Sequence, residues 1–225
     1  MKQLTMPEFN NDCCRCARLA GFLDRVRSEH PDYHALPVSS FGAAGSAFLV
    51  VGLAPGMHGA NRTGRPFTGD FAGNLLYGTL HKYGFASSPE PLDAAGNANP
   101  ALHLTGCRIT NAVRCLPPQN KPEPVEVRTC NAYLAEELAA LPPGTAVMAL
   151  GTIAHQAVLM ALQLRKSSFT FAHGARHELP GGLTLFDSYH CSRYNTQTRR
   201  LTTAMFEAVV DNIAKHIAGA GHARD

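Results

Sequence analysis

The stretch AFLVVGLAPGMHGANRTGRPFTGDFAG, residues 47–73, decides the fold of the chain. Its first five residues are all apolar, which is the pattern of a short strand buried on both faces. A loop with six glycines follows over residues 52–73, and beyond it the apolar residues from Leu75 to Tyr83 recur at helical spacing. The stretch therefore predicts one strand, one long loop and one helix in succession.

Strands and helices alternate in the same way along the rest of the chain. The predicted strands are residues 47–51, 107–115, 146–150 and 183–189. The predicted helices are residues 72–83, a segment with Pro124 in its first turn, residues 152–162, and a last helix from about Thr198. This alternation predicts a single α/β domain over residues 1–225, with its core at about residues 13–218 and short tails. Its centre is expected to be a four-stranded parallel sheet covered by helices on both faces.

Three polar loops follow predicted strands, namely residues 52–73, 111–122 and 190–201. In an open parallel sheet the carboxyl ends of the strands meet at one edge, and ligands bind there. We therefore expect side chains from these three loops to form a common site.

The first of these loops suits a planar ligand better than a triphosphate. It has neither the Gly-Lys-Ser/Thr ending of a P-loop nor a Gly-x-Gly-x-x-Gly fingerprint. Phe67 offers a stacking surface and Asp70 a carboxylate three residues later, with Arg62 and Arg65 just before them. The alternative is a glycine-rich surface loop in which Asp70 caps the next helix and Phe67 belongs to the core.

Four of the seven cysteines stand in two widely separated pairs. Cys13 and Cys16 form a Cys-x-x-Cys motif, and Cys115 and Cys130 flank a proline-rich segment. Four thiolates suit either a structural Zn²⁺ ion or an iron–sulfur cluster. The alternatives are that these cysteines are buried, unreactive thiols, or that Cys14 replaces Cys13 as a ligand.

The overall composition limits the class of protein. The 225 residues are 45% hydrophobic and 16% charged, with a formal net charge of +3, so the chain can bury a core and is not a polybasic nucleic-acid binder. Residues 1–12 contain no secretory signal pattern, and no apolar run approaches the ~20 residues of a membrane helix. We therefore expect a cytoplasmic protein with no membrane partner, in which thiols stay reduced.

Three motifs of the chain resemble those of the uracil-DNA glycosylase superfamily, and most of all those of its family 5. They are GLAPGMHGANRTGRPFTGD at residues 52–70, ITNAVRCLPPQNKP at residues 109–122 and SYHCSRYNTQT at residues 188–198. The resemblance extends from Cys13 to about Leu201 and includes the cysteine pattern. It implies a uracil-DNA glycosylase-like fold with a structural [4Fe-4S] cluster bound by Cys13, Cys16, Cys115 and Cys130.

The resemblance also implies roles for the residues of the three loops. A glycosylase takes a base out of the stack, reads its edge and cleaves the N-glycosidic bond. In the family pattern Asp70 orients or activates water, Asn111 binds the base edge, and His190 donates to the leaving base oxygen. Phe67 stacks on the flipped base, and Gly52 completes the base-binding set. Taken alone, Asn111 also fits a strand-end turn, and His190 a core histidine.

Family 5 lacks a polar residue at the usual catalytic position of the first motif, and this chain has Leu53 there. The resemblance therefore implies that Asp70 provides the catalytic carboxylate. The residues expected to contact DNA are Arg62, Arg65, Arg193, Tyr194, Asn195, Arg199 and Arg200. In relatives the loop that carries the last five enters the duplex, although Arg199 and Arg200 also fit a solvated helix start. Cys191 and Arg199 depart from the family pattern, which bears on the details of this loop.

The implied function is removal of uracil, hypoxanthine and xanthine from DNA by hydrolysis, leaving an abasic site. The expected partner is double- or single-stranded DNA, and the expected state is a monomer located in the prokaryotic cytosol. Two other functions remain open at this point. One is a non-enzymatic damaged-DNA-binding module with the same fold and cluster, and the other is a zinc-stapled α/β hydrolase that acts on free nucleosides.

Overall fold

A computed structural model describes residues 9–222, without the side chains of the last two. The predicted short tails lie partly outside these residues. The described strands are β1 Phe48–Gly52, β2 Cys107–Asn111, β3 Ala146–Leu150, β4 Arg176–Leu179 and β5 Leu183–Ser188. The described α-helices are α1 Ala17–Glu29, α2 Ala60–Thr63, α3 Phe71–Lys82, α4 Pro124–Ala139, α5 Thr152–Ala161, α6 Arg193–Gln197 and α7 Thr203–His222.

The five strands form one sheet in the order β2-β1-β3-β5-β4. The pairs β1–β2, β1–β3 and β3–β5 are parallel, whereas β4 runs antiparallel to β5. The sheet therefore differs from the predicted four-stranded parallel sheet in two respects. It has a fifth strand, β4, and this strand is antiparallel to its neighbour. The sequence of β4 is Arg-His-Glu-Leu, and only its last residue is buried, so this edge strand lacks the apolar run that marks the other four.

Two predicted elements have different bounds in the structure. The second predicted strand stops at Asn111 instead of residue 115. The predicted last helix begins at Thr203 instead of about Thr198, and a short helix that was not predicted, α6, ends just before it at Gln197. Arg199, between them, has a φ of +57°, and this left-handed backbone cannot continue a right-handed helix. The structure adds α1, a helix before β1 that the sequence analysis does not include.

Helices cover both faces of the sheet, as predicted. Successive side chains of a strand point to opposite faces, so Phe48 and Val50 of β1 belong to the core under α3 and α7, while Leu49 and Val51 belong to the core under α4 and α5. A third apolar cluster joins α1 to the chain around Cys115. Among the described helices, none combines the length and the apolar composition needed to span a bilayer.

The register of the parallel strands brings their carboxyl ends to one edge of the sheet. Gly52 at the end of β1 pairs with Asn111 at the end of β2, and Leu150 of β3 pairs with Ser188 of β5. The loops that follow these strands therefore leave the sheet side by side.

Candidate active site

A pocket of about 740 Å³ opens at this carboxyl edge. Five of the predicted site residues line it, and they come from segments that are far apart in the chain. They are Phe67, Asp70, Asn111, His190 and Arg193. The structure thus brings the predicted catalytic and base-binding side chains together in one cavity.

Gly52 is the point at which two of these side chains meet. A Cβ atom at this position would lie 2.3 Å from Asn111 Oδ1 and 2.6 Å from Phe67 Cζ, which is closer than non-bonded atoms approach. Phe67 itself has a φ of +54°, a left-handed conformation that is unusual for an aromatic residue. Such strain clusters at ligand sites, and here it accompanies the close approach of the Phe67 ring to Gly52.

Asn111 provides an unsatisfied hydrogen-bond acceptor in the pocket. The residue is 5% exposed, and its Oδ1 has no hydrogen-bond partner among the described residues. Leaving a buried polar atom unpaired costs about 1–3 kcal/mol. A ligand N–H group would remove this cost, and the edge of a nucleobase offers such a group.

Asp70 caps a helix and faces the pocket at the same time. It is the N-cap residue of α3, and its Oδ1 accepts a hydrogen bond from the Gly73 backbone N–H at 3.0 Å. The other oxygen lies against the loop backbone, because a Cβ atom at Gly59 would be only 2.7 Å from Oδ2. Burial raises the pKa of Asp70, and the N–H groups of Gly73 and Ala72 oppose that rise. The carboxylate is therefore held by the start of α3 on one side and by the glycine-rich loop on the other.

His190 follows β5 and stacks on Phe67, with ring centroids 5.9 Å apart and ring planes at 28°. Burial lowers the pKa of His190 to about 4, so the ring is neutral at neutral pH. A neutral imidazole can donate one hydrogen bond and accept another. The backbone of His190 is fixed as well, because its carbonyl oxygen accepts a hydrogen bond from Asn195 Nδ2 at 2.8 Å.

The loop after His190 divides into exposed and anchored residues. Arg193 lines the pocket and lies over the Phe71 ring, with its guanidinium carbon 5.5 Å from the ring centroid. Tyr194 is 71% exposed, whereas Asn195 is held by the His190 carbonyl. Of the two following arginines, Arg199 is exposed and Arg200 lies 4.6 Å from the centroid of the Tyr189 ring.

Arg62 and Arg65 are not in the pocket wall. Arg62 Nη1 donates to the Gly96 carbonyl at 2.9 Å. The two terminal nitrogens of Arg65 donate to the carbonyls of Asn99 and Pro91, both at 2.8 Å. These two side chains therefore tie the loop around residues 87–100 to the glycine-rich loop, which is a structural role that the sequence analysis did not include.

The pocket also contains residues that the sequence analysis missed. Asn120 lines it from the proline-rich loop after β2, and the chain turns there through two successive left-handed residues, Gln119 and Asn120. Ile153, 43% exposed in the first turn of α5, lines another side of the mouth. The signal for Asn120 is the segment Pro-Pro-Gln-Asn, in which prolines and an asparagine mark an irregular turn.

The four cysteines of the two pairs lie around one small pocket. Cys13 and Cys16 immediately precede α1, Cys115 follows β2, and Cys130 is on α4. Cys14 is exposed and does not line this pocket. The structure thus brings Cys13, and not Cys14, next to the other three cysteines.

The donor set of this pocket consists of thiols alone. Four thiols suit either a structural Zn²⁺ ion or an iron–sulfur cluster. Within residues 9–222, a separate group of metal-ligating side chains is His155, His177 and Asp187, whose ligand atoms lie within 4.8 Å of one another.

Burial makes bare thiolates unfavourable at these positions. Burial, and then the charges of the other three cysteines, raise the pKa of the Cys115 thiol above its usual range. Burial raises the pKa of Cys130 to about 11, although the Arg114 backbone N–H donates to its Sγ at 3.3 Å. Four thiolates here would need a cationic centre between them, because metal binding and thiol deprotonation are linked.

The fold and the pocket define an α/β protein with a ligand site at the carboxyl edge of its sheet. Residues 39–214 match the family model described as the uracil DNA glycosylase superfamily. The chain therefore belongs to the uracil DNA glycosylase superfamily and is an enzyme of the glycosylase class.

Curated relatives agree with this membership over most of the chain. A type-5 uracil-DNA glycosylase from Thermus thermophilus is 47% identical over 214 residues, which cover 92% of this chain and 94% of the relative. The type-5 uracil-DNA glycosylase of Mycobacterium tuberculosis is 39% identical over 219 residues, covering 92% and 78% of the two chains. That of Pyrobaculum aerophilum is 36% identical over 214 residues, covering 93% and 90%.

Proposed function

We propose that this protein is a DNA glycosylase that excises uracil and leaves an abasic site. The observation that carries the proposal is the convergence of Phe67, Asp70, Asn111 and His190 in one pocket at the carboxyl edge of the sheet. A flipped uracil needs a stacking surface, a partner for its polar edge and stabilisation of the charge that develops on leaving. The pocket offers one side chain for each of the first two needs and two for the third.

Base recognition is assigned to Asn111 and Phe67. The unpaired Oδ1 of Asn111 would accept the N3–H of uracil, while the amide nitrogen would donate to a neighbouring carbonyl oxygen of the base. Phe67 would stack on the base. Gly52 leaves room for both side chains, since any Cβ there would overlap them.

Hydrolysis is assigned to Asp70 and His190. Water attacks C1′ of the deoxyribose, and the bond from C1′ to N1 of uracil breaks with its electron pair passing to the base. Asp70 holds the water and favours the positive charge that develops on the sugar, and the water proton passes to the carboxylate or to solvent. The neutral His190 ring donates a hydrogen bond to the base oxygen on which negative charge accumulates. The departing uracil anion then takes up a proton.

A broad range of bases is part of the proposal. The pocket wall includes the apolar side chains of Leu53 and Met57, which make no hydrogen bonds that would select one pattern of ring substituents. Hypoxanthine and xanthine present carbonyl oxygens and N–H groups, as uracil does. We therefore propose that both are substrates as well.

The cysteine set is assigned to a [4Fe-4S] cluster with a structural role. Cys13, Cys16, Cys115 and Cys130 would hold it, and the fit rests on four thiols around one pocket. When bound, the cluster supplies a covalent cross-link between the start of α1, the proline-rich loop and α4. Asn120 lies on that loop, so the cross-link would also shape one side of the catalytic pocket.

DNA binding is assigned to a few side chains at the mouth of the pocket. Arg193 and Tyr194 would contact the duplex, and Arg199 and Arg200 would contact phosphates. Because Arg62 and Arg65 already donate to backbone carbonyls, any contact they make with DNA would use their remaining N–H groups. We propose that the protein acts as a monomer on chromosomal DNA in the cytosol.

The test separates an enzyme from a damaged-DNA-binding module. A labelled duplex with a single uracil is incubated with the protein and then treated with alkali, beside the same duplex with thymine. We expect an alkali-labile break at the uracil only, and weaker breaks with hypoxanthine and xanthine. A stable complex with the uracil duplex without any alkali-labile site would overturn the enzymatic proposal and favour the binding module.

A further inference from the structure

The segment of residues 169–175 packs along the end of β5, next to the residue that precedes His190. The Gly174 N–H donates to the Asp187 carbonyl at 2.8 Å, and the Asp187 N–H donates to the Ala175 carbonyl at 2.9 Å. His173 Nδ1 accepts a hydrogen bond from the Tyr189 backbone N–H at 3.1 Å. The rings of His173 and Tyr189 also stack, with centroids 5.0 Å apart and planes at 17°.

The other end of this segment is anchored by a buried hydrogen-bond network that involves His155, His177 and Asp187. His155 Nδ1 lies 2.8 Å from Asp187 Oδ1, and His177 Nε2 lies 3.2 Å from Asp187 Oδ2. Each ring nitrogen is thus directed at a different carboxylate oxygen, which is the geometry of hydrogen bonds to one buried carboxylate. His155 Nε2 lies 3.0 Å from the Phe169 carbonyl oxygen, so it carries a proton and holds the start of the segment.

We propose that His173 is a positioning residue for His190, acting through the Tyr189 backbone N–H. The Tyr189 N–H belongs to the Ser188–Tyr189 peptide, so the contact with His173 fixes the backbone one residue before His190. Residues 169–175 form a strut that is held by His155 at one end and by His173 at the other. This inference rests on the proposed function, in which His190 donates to the leaving base.

The hydrogen bond defines the protonation state of His173. Because Nδ1 accepts from a peptide N–H, it carries no proton, and the single ring proton is on Nε2. Burial lowers the pKa of His173, which agrees with a neutral ring. The polar and charged groups around the stacked pair include the Ser188 hydroxyl, 3.5 Å from His173 Nδ1, the Met205 backbone, to which the His173 ring is hydrogen-bonded, and the Arg200 guanidinium over the Tyr189 ring.

The experiment compares His173→Ala with His173→Asn in the full-length protein. The asparagine Oδ1 can take the place of Nδ1 as an acceptor, whereas alanine cannot. We expect His173→Ala to slow single-turnover release of uracil by between about 10- and 100-fold, with little change in affinity for uracil-containing DNA, and His173→Asn to recover most of the rate. His103→Ala, at an exposed histidine far along the chain, is the matched control and should behave like the wild type.

Two results would overturn the inference. One is a His173→Ala variant with the wild-type rate, and the other is an equal loss of rate in both variants that follows their loss of thermal stability. A second measurement needs only the wild type. Long-range ¹H–¹⁵N spectra should show that His173 Nδ1 carries no proton. A proton on Nδ1 would contradict the hydrogen bond from the Tyr189 N–H. If the wild type releases no uracil, the proposed function fails, while the spectra still test the contact itself.

Discussion

The rings of Phe67 and His190 stack against each other across the pocket, with centroids 5.9 Å apart. One ring comes from the loop after β1 and the other from the loop after β5, strands that are separated in the sheet by β3. Asn111 approaches Phe67 from the end of β2, through the space that Gly52 leaves open. The candidate site therefore depends on two loops and one strand end, and changes at any one of them should affect base release.

Asp70→Asn should remove the negative charge while keeping the helix cap, because asparagine caps helices about as well as aspartate. We expect uracil release to slow by roughly 10²- to 10⁴-fold, with DNA affinity and melting temperature close to the wild-type values. Single-turnover kinetics and a binding titration measure the two quantities. Equal losses of rate and affinity would instead make Asp70 a binding residue.

Gly52→Ala should disrupt the pocket, because its Cβ would overlap Asn111 Oδ1 and the Phe67 ring. Overpacking of this kind costs about 1–3 kcal/mol of stability. We expect the rate of uracil release to fall far more, in proportion, than the free energy of unfolding. Gly78→Ala is the control, since a Cβ at Gly78 in α3 meets no atom within 4 Å. Two variants with equal activity would contradict the account of the Gly52 junction.

The pH profile should show a loss of activity on the acid side only. Burial raises the pKa of Asp70, and catalysis requires the ionised carboxylate, so the rate should fall as the pH falls through this raised pKa. His190, with a pKa of about 4, stays neutral over the whole range above that value. The residual activity of Asp70→Asn should lack this acid limb, and a wild-type rate that rises toward acid pH would argue against an ionised Asp70.

Cys115→Ser and Cys14→Ser should have opposite outcomes, although both remove one thiol. Cys115 lines the cysteine pocket and Cys14 does not, so Cys115→Ser should lose bound iron, brown colour and solubility while Cys14→Ser keeps all three. Iron, sulfide and zinc analysis of the purified proteins checks this. Wild-type protein that contains zinc and no iron would contradict the cluster.

The parallel part of the fold could be predicted because its strands are buried on both faces. Residues 146–150 are apolar throughout, and the predicted strand coincides with β3. β4 could not be predicted in this way, since an edge strand with alternating exposed and half-buried polar residues resembles a loop. The break between α6 and α7 could not be predicted either, because arginine as a residue type gives no indication of the left-handed backbone at Arg199.

The candidate site was predictable where the motifs follow strand ends. Asp70, Asn111 and His190 come after strands that point to the same edge, and the structure brings them into one pocket. The surroundings of Arg62 and Arg65 were not predictable, because their acceptors are backbone carbonyls more than twenty residues away in the chain. Asn120 was missed because its position depends on a turn through two left-handed residues.

The proposed function depends on hydrolysis of the N-glycosidic bond by attack of water on the sugar. The most direct measurement is a reaction of uracil-containing DNA in H₂¹⁸O, with mass spectrometry of both products. We expect free uracil without the label and an abasic strand that carries ¹⁸O at C1′. Label in the base, or DNA that is bound but still contains its uracil, would rule out this hydrolysis.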